Sequence, residues 1–269
     1  MEKIQKKEFS KITIVAIDAA IIAGDLLKKG FFTKYKIDKK QGKHNLVTEY
    51  DFLSEKTIIS YIKKIFPTHS FLSEECGRIN NSNEVIWIID PLDGTVNFAH
   101  KVPIFSVSIA AIEKNQTVSG VIYQPLSNEL FVAEKNTGSF LNYKKIEVTQ
   151  TKMLDDALLA TGFPYNFDEN PNHCLDRFSN ILKKGLPIRR LGCASIDLAY
   201  VASGIFDAFW ETGLGAWDVA AGNLLIEEAG GIISDFENKK FQIKDTNNAL
   251  LASNKILHND ILKVLNENY

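Results

Sequence analysis

The sequence predicts an α+β fold in its first half and an α/β fold in its second. Three observations carry this. Two long helical patterns fill most of residues 9–66. Residues 85–148 then read as successive strands joined by short turns, the look of a largely antiparallel sheet. Beyond residue 150 short apolar strands alternate with helical patterns. The character changes near that point, so the chain is divided into an N-terminal half, 1–150, and a C-terminal half, 151–269. No internal repeat is present.

The elements follow in order. Phe9, Ile12, Ala16, Ala19, Ala20, Ala23, Leu26 and Leu27 fall at helical spacing and predict an amphipathic first helix ending near Gly30. Asp18 in its middle argues against a signal peptide. Lys34 to Asn45, with five lysines and Gly42, reads as a loop. Thr48 with Asp51 fits a capping box opening a second helix, and Pro67 stops it. Phe71 to Ser73 is a short strand running into Glu74 and Glu75. Val85 to Ile89 is apolar throughout, as a strand buried on both faces would be. Phe105, Val107, Ile109 and Ala111 alternate with smaller or polar residues. Val118 to Tyr123 and Glu129 to Ala133 are joined by a turn at Pro125, Ser127 and Asn128. The sheet pattern continues past Gly138 through Ile146 and Val148. In the second half, Ala157 to Ala160 is strand-like. Leu175 to Leu182 is a helix ended by Gly185, and Ala194 to Gly204 is another. Phe206 to Trp210 is a strand ending in Glu211. A helix through Val219, Leu224, Leu225 and Ala229 closes at Gly230 and Gly231. Ile232 and Ile233, then Leu250 and Leu251, lie on strands, and a helix from about Ile256 to Leu265 finishes the chain.

Composition narrows the function. The 269 residues carry 31 basic and 33 acidic side chains, a net charge of −2 that argues against binding nucleic acid by phosphate neutralisation. Forty-five per cent of residues are hydrophobic, yet no run approaches the ~20 needed to span a bilayer. Cys76, Cys174 and Cys193 are three, without metal-type spacing, which implies a reducing compartment and a cytoplasmic protein. The histidines His44, His69, His100, His173 and His258 show no ligand spacing, and most read as surface or loop residues. Cys193, beside Gly192, reads as a small buried filler rather than a nucleophile.

The informative feature is the placement of acids. Asp90 ends an apolar strand and Asp93 follows it, although unpaired buried charges are costly. Pro91 forces a turn and Gly94 permits positive φ. Asp90 and Asp93 can then face one point together with the Leu92 carbonyl, a hard-oxygen set suited to Mg²⁺. Glu74 closes another apolar strand, and Asp218 opens an apolar helix. Asp-Gly turns, solvated strand ends and helix-capping aspartates explain each acid singly. Jointly they point to a divalent-cation cluster.

These residues resemble a known family. Trp87 to His100, WIIDPLDGTVNFAH, is similar to the first signature of the inositol monophosphatase family, and Trp217 to Gly231, WDVAAGNLLIEEAGG, to the second. Leu46 to Asp51 and Phe71 to Glu75 resemble two further elements, in family order, across nearly the whole chain. The resemblance implies a layered α-β-α-β-α sandwich of the sugar-phosphatase type, a homodimer, Mg²⁺ dependence and lithium sensitivity. It assigns one Mg²⁺ to Glu74, Asp90 and the Leu92 carbonyl, a second to Asp90, Asp93 and Asp218, and a third, weaker ion to Glu74. Thr95, backed by Asp51, would orient the attacking water. The amides of Gly94 and Thr95 would cradle the phosphate. Asp93, Asp218, Ala194 and Glu211 match positions that meet substrate hydroxyls.

The implied activity is hydrolysis of a phosphate monoester by a phosphoric monoester hydrolase, with myo-inositol monophosphate or a similar polyol phosphate as substrate, and neither membrane nor nucleic acid as partner. Val96 and Asn97, between Thr95 and Phe98, depart from the Lys-Glu that precedes Phe in relatives cleaving adenosine 3′,5′-bisphosphate. Fructose-1,6-bisphosphatases and NADP phosphatases share the pattern seen here and remain alternatives, as does the nucleotidase. The lysine-rich loop before Leu46 reads as a solvated loop more than as a second phosphate contact. From another class, the chain would act mainly as a binding partner of RNA or the transcription machinery. The intact set Glu74, Asp90, Asp93, Thr95 and Asp218 argues against that role alone.

Overall fold

The computed structural model describes residues 3–39, 46–81 and 84–267. Helix α1 (Lys11–Phe31) starts at Ser10, whose hydroxyl accepts the Thr13 N–H. Its buried stripe includes Val15, Ala16, Ala19, Ala20, Ala23 and Leu27, small enough to bring the helix close to a sheet. Part of the expected Lys34–Asn45 loop is instead strand β1 (Ile37–Lys39), paired antiparallel with β2 (Leu46–Thr48). Tertiary pairing overrides the polar composition there. Residues 40–45, with His44 and much of the lysine run, lie outside the described residues.

Helix α2 (Glu49–Ile65) carries the expected box: the Thr48 N–H donates to Asp51 Oδ2 at 2.7 Å. Next come β3 (Ser70–Ser73) and β4 (Gly77–Ile79), the latter not foreseen, then β5 (Ile86–Asp93) and a single helical turn, α3 (Thr95–Ala99). Strands β6 (Ser106–Glu113), β7 (Gln116–Gln124), β8 (Glu129–Glu134), β9 (Gly138–Leu141) and β10 (Lys144–Ile146) complete an eight-stranded sheet. Its order is β10-β9-β8-β7-β6-β5-β3-β4, antiparallel except between β3 and β5.

The rest of the chain provides β11 (Leu159–Thr161), α4 (Cys174–Lys183), β12 (Ile188–Arg189), α5 (Ala194–Ala202), β13 (Ala208–Leu214), α6 (Ala216–Glu228), β14 (Ile232–Ser234), β15 (Asn248–Ser253) and α7 (His258–Leu265). They form a five-stranded mixed sheet, β12-β11-β13-β15-β14. Some elements differ from expectation. β11 begins at Leu159, not Ala157. The two-residue β12 carried no alternating signal. The last helix begins at His258, after Asn254 Oδ1 accepts the Leu257 N–H.

Three apolar clusters define five layers. Helices α1 and α2 pack on one face of the large sheet, through Ala16, Ile58, Trp87 and Val121. Helices α5 and α6 lie between the sheets, touching Ile88 and Ile122 on one side and Phe209 and Leu250 on the other. Helices α4 and α7 cover the outer face of the small sheet with Ile181, Trp210 and Ile261. The arrangement is α-β-α-β-α. Sequence explains the order: α5 and α6 are apolar nearly all round, as a helix buried on two sides must be. Outer helices α4 and α7 have one apolar stripe each.

Two histidines depart from the surface reading. His69 is buried and accepts the Trp87 indole N–H on Nδ1 at 2.9 Å. His258 is buried between the hydroxyls of Ser234 and Ser253. Both rings gain partners that local sequence does not reveal. His100 and His173 are exposed as expected. All three cysteines are free, and Cys193 is buried.

Candidate metal centre

β5 does not end at Asp90. It continues to Asp93 through a bulge, with Asp90 opposite Ser108 and Asp93 opposite Ser106 of β6. In regular strand geometry, residues three apart point to opposite faces. Ser106 and Ser108 are two apart and share a face, so the bulge at Pro91 and Leu92 brings both carboxylates to the same side. That side faces α5 and α6. Ser108 Oγ donates to the Trp217 carbonyl at 3.1 Å, tying the bulged strand to the start of α6.

Asp218, in the first turn of α6, meets the pair from across the layer. One ligand oxygen each of Asp90, Asp93 and Asp218 lies within 4.8 Å of the others. Asp218 Oδ2 also accepts the Gly215 N–H at 2.6 Å, so the capping role and the cluster role are held together. Burial first, then the charges of Glu74, Asp93 and Asp218, pushes the Asp90 carboxyl well above the usual carboxylate range. Asp218 is pushed up to about 8 by burial and by Asp93 and Glu74. Burial also raises Asp93, opposed by donors from Ser195, Cys193 and Ala194. Glu74 stands at the rim, half-buried and outside the tight trio, yet close enough to act on Asp90 and Asp218.

The surroundings fix these acids. The Leu92 N–H donates to Asp90 Oδ1 at 3.0 Å. Gly94 sits at φ +86°, a conformation that lets α3 start directly after Asp93. Thr95 Oγ1 lies 2.9 Å from both Asp51 Oδ1 and the Leu92 carbonyl. Asp51 Oδ2 is already taken by the Thr48 N–H and hydroxyl. Two residues of α2 went unrecognised in the sequence. Ser54 donates to the Pro91 carbonyl at 2.7 Å. Glu55 Oε1 accepts the Ser73 hydroxyl and the N–H groups of Glu75 and Cys76, which shapes the turn carrying Glu74. The hint was their helical spacing with Asp51, at i+3 and i+4.

Glu211 is likewise not a strand end. β13 runs on to Leu214, with an irregularity between Thr212 and Leu214 at Gly213. The Glu211 carboxylate lies against Gly162, where a Cβ would collide with it. Burial, with Asp218 and Asp93, pushes Glu211 up to about 8 against the pull of Arg190. Ala194, the first residue of α5, directs its backbone N–H to Asp93. Asp197 of α5 is buried, with Oδ1 unbonded, and Glu211 and Asp93 act on it.

Three mutually repelling carboxylates, Asp90 buried and the other two partly so, offering only oxygen, are the donor set that Mg²⁺ takes. The charges acting most strongly on Asp90 are all negative, so a bound cation would relieve an existing strain. A five-layer sandwich with such a cluster beside its central helices defines a candidate divalent-cation site. The chain belongs to the inositol monophosphatase family, whose model matches residues 8–268. It is 44% identical over 229 residues to "Nus factor SuhB" of Pseudomonas aeruginosa, covering 82% of this chain and 84% of that protein. It is 40% identical over 254 residues to "Inositol-1-monophosphatase" of Caulobacter vibrioides, covering 93% and 98%. The crystal structure of extragenic suppressor protein suhB from Bartonella henselae superposes with a TM-score of 0.91 at 35% identity, covering 97% of this chain and all of that one. No helix among the described residues is long and apolar enough to cross a membrane.

Proposed function

We propose that this phosphatase hydrolyses a phosphate monoester, myo-inositol monophosphate or a similar polyol phosphate, in a Mg²⁺-dependent reaction with water and no covalent intermediate. The observation that carries this is the convergence of Asp90, Asp93 and Asp218 on one point. Asp90, Asp93 and Asp218 would hold one ion; Glu74, Asp90 and the Leu92 carbonyl a second; Glu74 a weaker third. When bound, Mg²⁺ supplies Lewis-acid stabilisation of the phosphoryl and leaving oxygens and lowers the pKa of water.

The chain's own groups do the rest. Thr95 has one hydroxyl proton and directs it to Asp51 Oδ1 or the Leu92 carbonyl, which leaves its lone pairs to accept a hydrogen bond from the attacking water and so orient it. The amides of Gly94 and Thr95, at the start of α3, receive phosphate oxygens. Glu211, Asp93 and Asp218 orient the polyol hydroxyls, with Ala194 beside them at the start of α5. No side-chain nucleophile takes part: burial and Asp93 push the Cys193 thiol well above its ordinary range, which keeps it protonated. The same reading has a lithium-sensitive homodimer in the cytoplasm.

The test is phosphate release from inositol 1-phosphate, fructose 1,6-bisphosphate, adenosine 3′,5′-bisphosphate and NADP, each with and without Mg²⁺. The monophosphate is expected to turn over fastest. Preference for a bisphosphate or NADP moves the assignment to that branch. A second reading, favoured by relatives named Nus factor, is a binding role with RNA or the transcription machinery. A net charge of −2 does not exclude that role, because a total says nothing of a local patch.

A further inference from the structure

We propose that Ser195 is a positioning residue for Asp93. With Ser106 behind it, it holds one carboxylate oxygen against α5 and leaves the other to the cation cluster. The inference rests on the reading of that cluster as a cation site.

Asp93 Oδ2 accepts the Ser195 N–H at 2.7 Å and the Ser195 hydroxyl at 2.5 Å, and the Cys193 thiol lies 3.2 Å from the same oxygen. These three donors share one oxygen, and the Ala194 N–H also acts on this carboxylate. A carboxylate is two-fold symmetric about its last torsion, so a set of donors gathered on one oxygen sets which way it faces. The direction of the network follows from proton counting. Ser195 has one hydroxyl proton and gives it to Asp93. Ser106 Oγ, 2.6 Å from Ser195 Oγ, must therefore be the donor in that pair. Ser106 faces Asp93 in the β5–β6 ladder and both serines are fully buried, so water does not compete for these bonds. The chain Ser106 to Ser195 to Asp93 also joins the large sheet to α5 across the site. Hydrogen-bonded partners behind a ligand typically tune metal affinity by 10–100-fold.

The experiment is an electron paramagnetic resonance titration of Mn²⁺ into the chelator-stripped full chain without substrate, alongside phosphate release against Mg²⁺. Ser195→Ala is expected to bind Mn²⁺ about tenfold more weakly and to need correspondingly more Mg²⁺ for half-maximal rate, with kcat at saturating Mg²⁺ moved less. Ser195→Thr keeps the hydroxyl and is expected to bind within about twofold of the unaltered chain. Ser106→Ala removes only the outer link and is expected to lose less than Ser195→Ala; it serves if the threonine variant does not fold by circular dichroism. Mn²⁺ binding by Ser195→Ala equal to that of the unaltered chain overturns the proposal. Equal loss in the alanine and threonine variants also overturns it, by showing that packing rather than the hydroxyl matters. Failure of the unaltered chain to bind Mn²⁺ overturns the cation reading itself, and the proposal with it.

Discussion

Replacing Asp218 by Asn should stabilise the cation-free protein while destroying its cation site. Burial, with Asp93 and Glu74, pushes the Asp218 carboxyl up to about 8 from an ordinary 3.8. A carboxyl whose pKa is raised by folding binds its proton more readily in the folded state. Its contribution is complete below the unfolded pKa, near 4, and is lost as pH rises toward 8. By pH 7 about three of those units have been crossed, a cost of roughly 4 kcal/mol at 1.36 kcal/mol per unit. Asn removes the charge and its carbonyl can keep the Gly215 N–H bond. Partial solvent access and the amide's own hydrogen-bonding needs reduce the expected gain to about 2 kcal/mol, or roughly 4–8 °C in Tm for a chain of this size. The assay is differential scanning calorimetry in chelator near pH 7 and near pH 4, repeated with Mg²⁺ near pH 7. Asp218→Asn should melt above the unaltered chain near pH 7, and the gap should close near pH 4. Mg²⁺ should raise the Tm of the unaltered chain and leave that of the variant nearly fixed. A variant melting below the unaltered chain in chelator near pH 7 refutes the reasoning, because the cluster would then not be a site of stored repulsion.

Gly94→Ala places a Cβ at φ +86°, 3.0 Å from the Ile104 carbonyl oxygen. It should lower the urea midpoint by the equivalent of about 1–3 kcal/mol and suppress phosphate release; an unchanged midpoint contradicts this. Burial pushes His258 down to about 4 from 6.5, so the folded chain resists its protonation. Stability from the neutral ring is complete above about pH 6.5 and lost toward pH 4, by up to about 3 kcal/mol. His258→Gln should flatten that part of the urea-midpoint profile between pH 7 and 5, and parallel profiles would refute the assignment. Glu55→Ala removes the acceptor for Ser73, Glu75 and Cys76. It should raise the Mg²⁺ needed for half-maximal rate by about tenfold, which a Mg²⁺ titration of phosphate release checks.

The two halves were legible from periodicity, but the layer order was legible only through the resemblance of Trp87 to His100 and Trp217 to Gly231 to family signatures. The apolar character nearly all round α5 and α6, and the alanine stripe of α1, explain that order once the sheets are in place. The acids at positions 90, 93 and 218 stood out because they interrupt apolar elements. Their convergence was legible too, but as a turn after a strand ending at Asp90 rather than as a bulge within a longer strand. Period-two spacing alone puts Asp90 and Asp93 on opposite faces, and the bulge that reverses this depends on pairing with Ser106 and Ser108. Residues acting through another side chain were missed for a related reason. Ser195, Ser106 and Glu55 are ordinary polar residues until the fold brings an acid or a turn to them. Short pairings such as β1 with β2, and β4 with β3, carry too few residues to show a period.

The central claim is that a cation held by Asp90, Asp93 and Asp218 makes this chain a phosphomonoester hydrolase. The most direct measurement is inorganic phosphate released from inositol 1-phosphate by the unaltered chain and by Asp93→Asn, each in chelator and in Mg²⁺. The account predicts release only from the unaltered chain in Mg²⁺, with Asp93→Asn folded and inactive. Release in chelator, or turnover by Asp93→Asn near that of the unaltered chain, would contradict it.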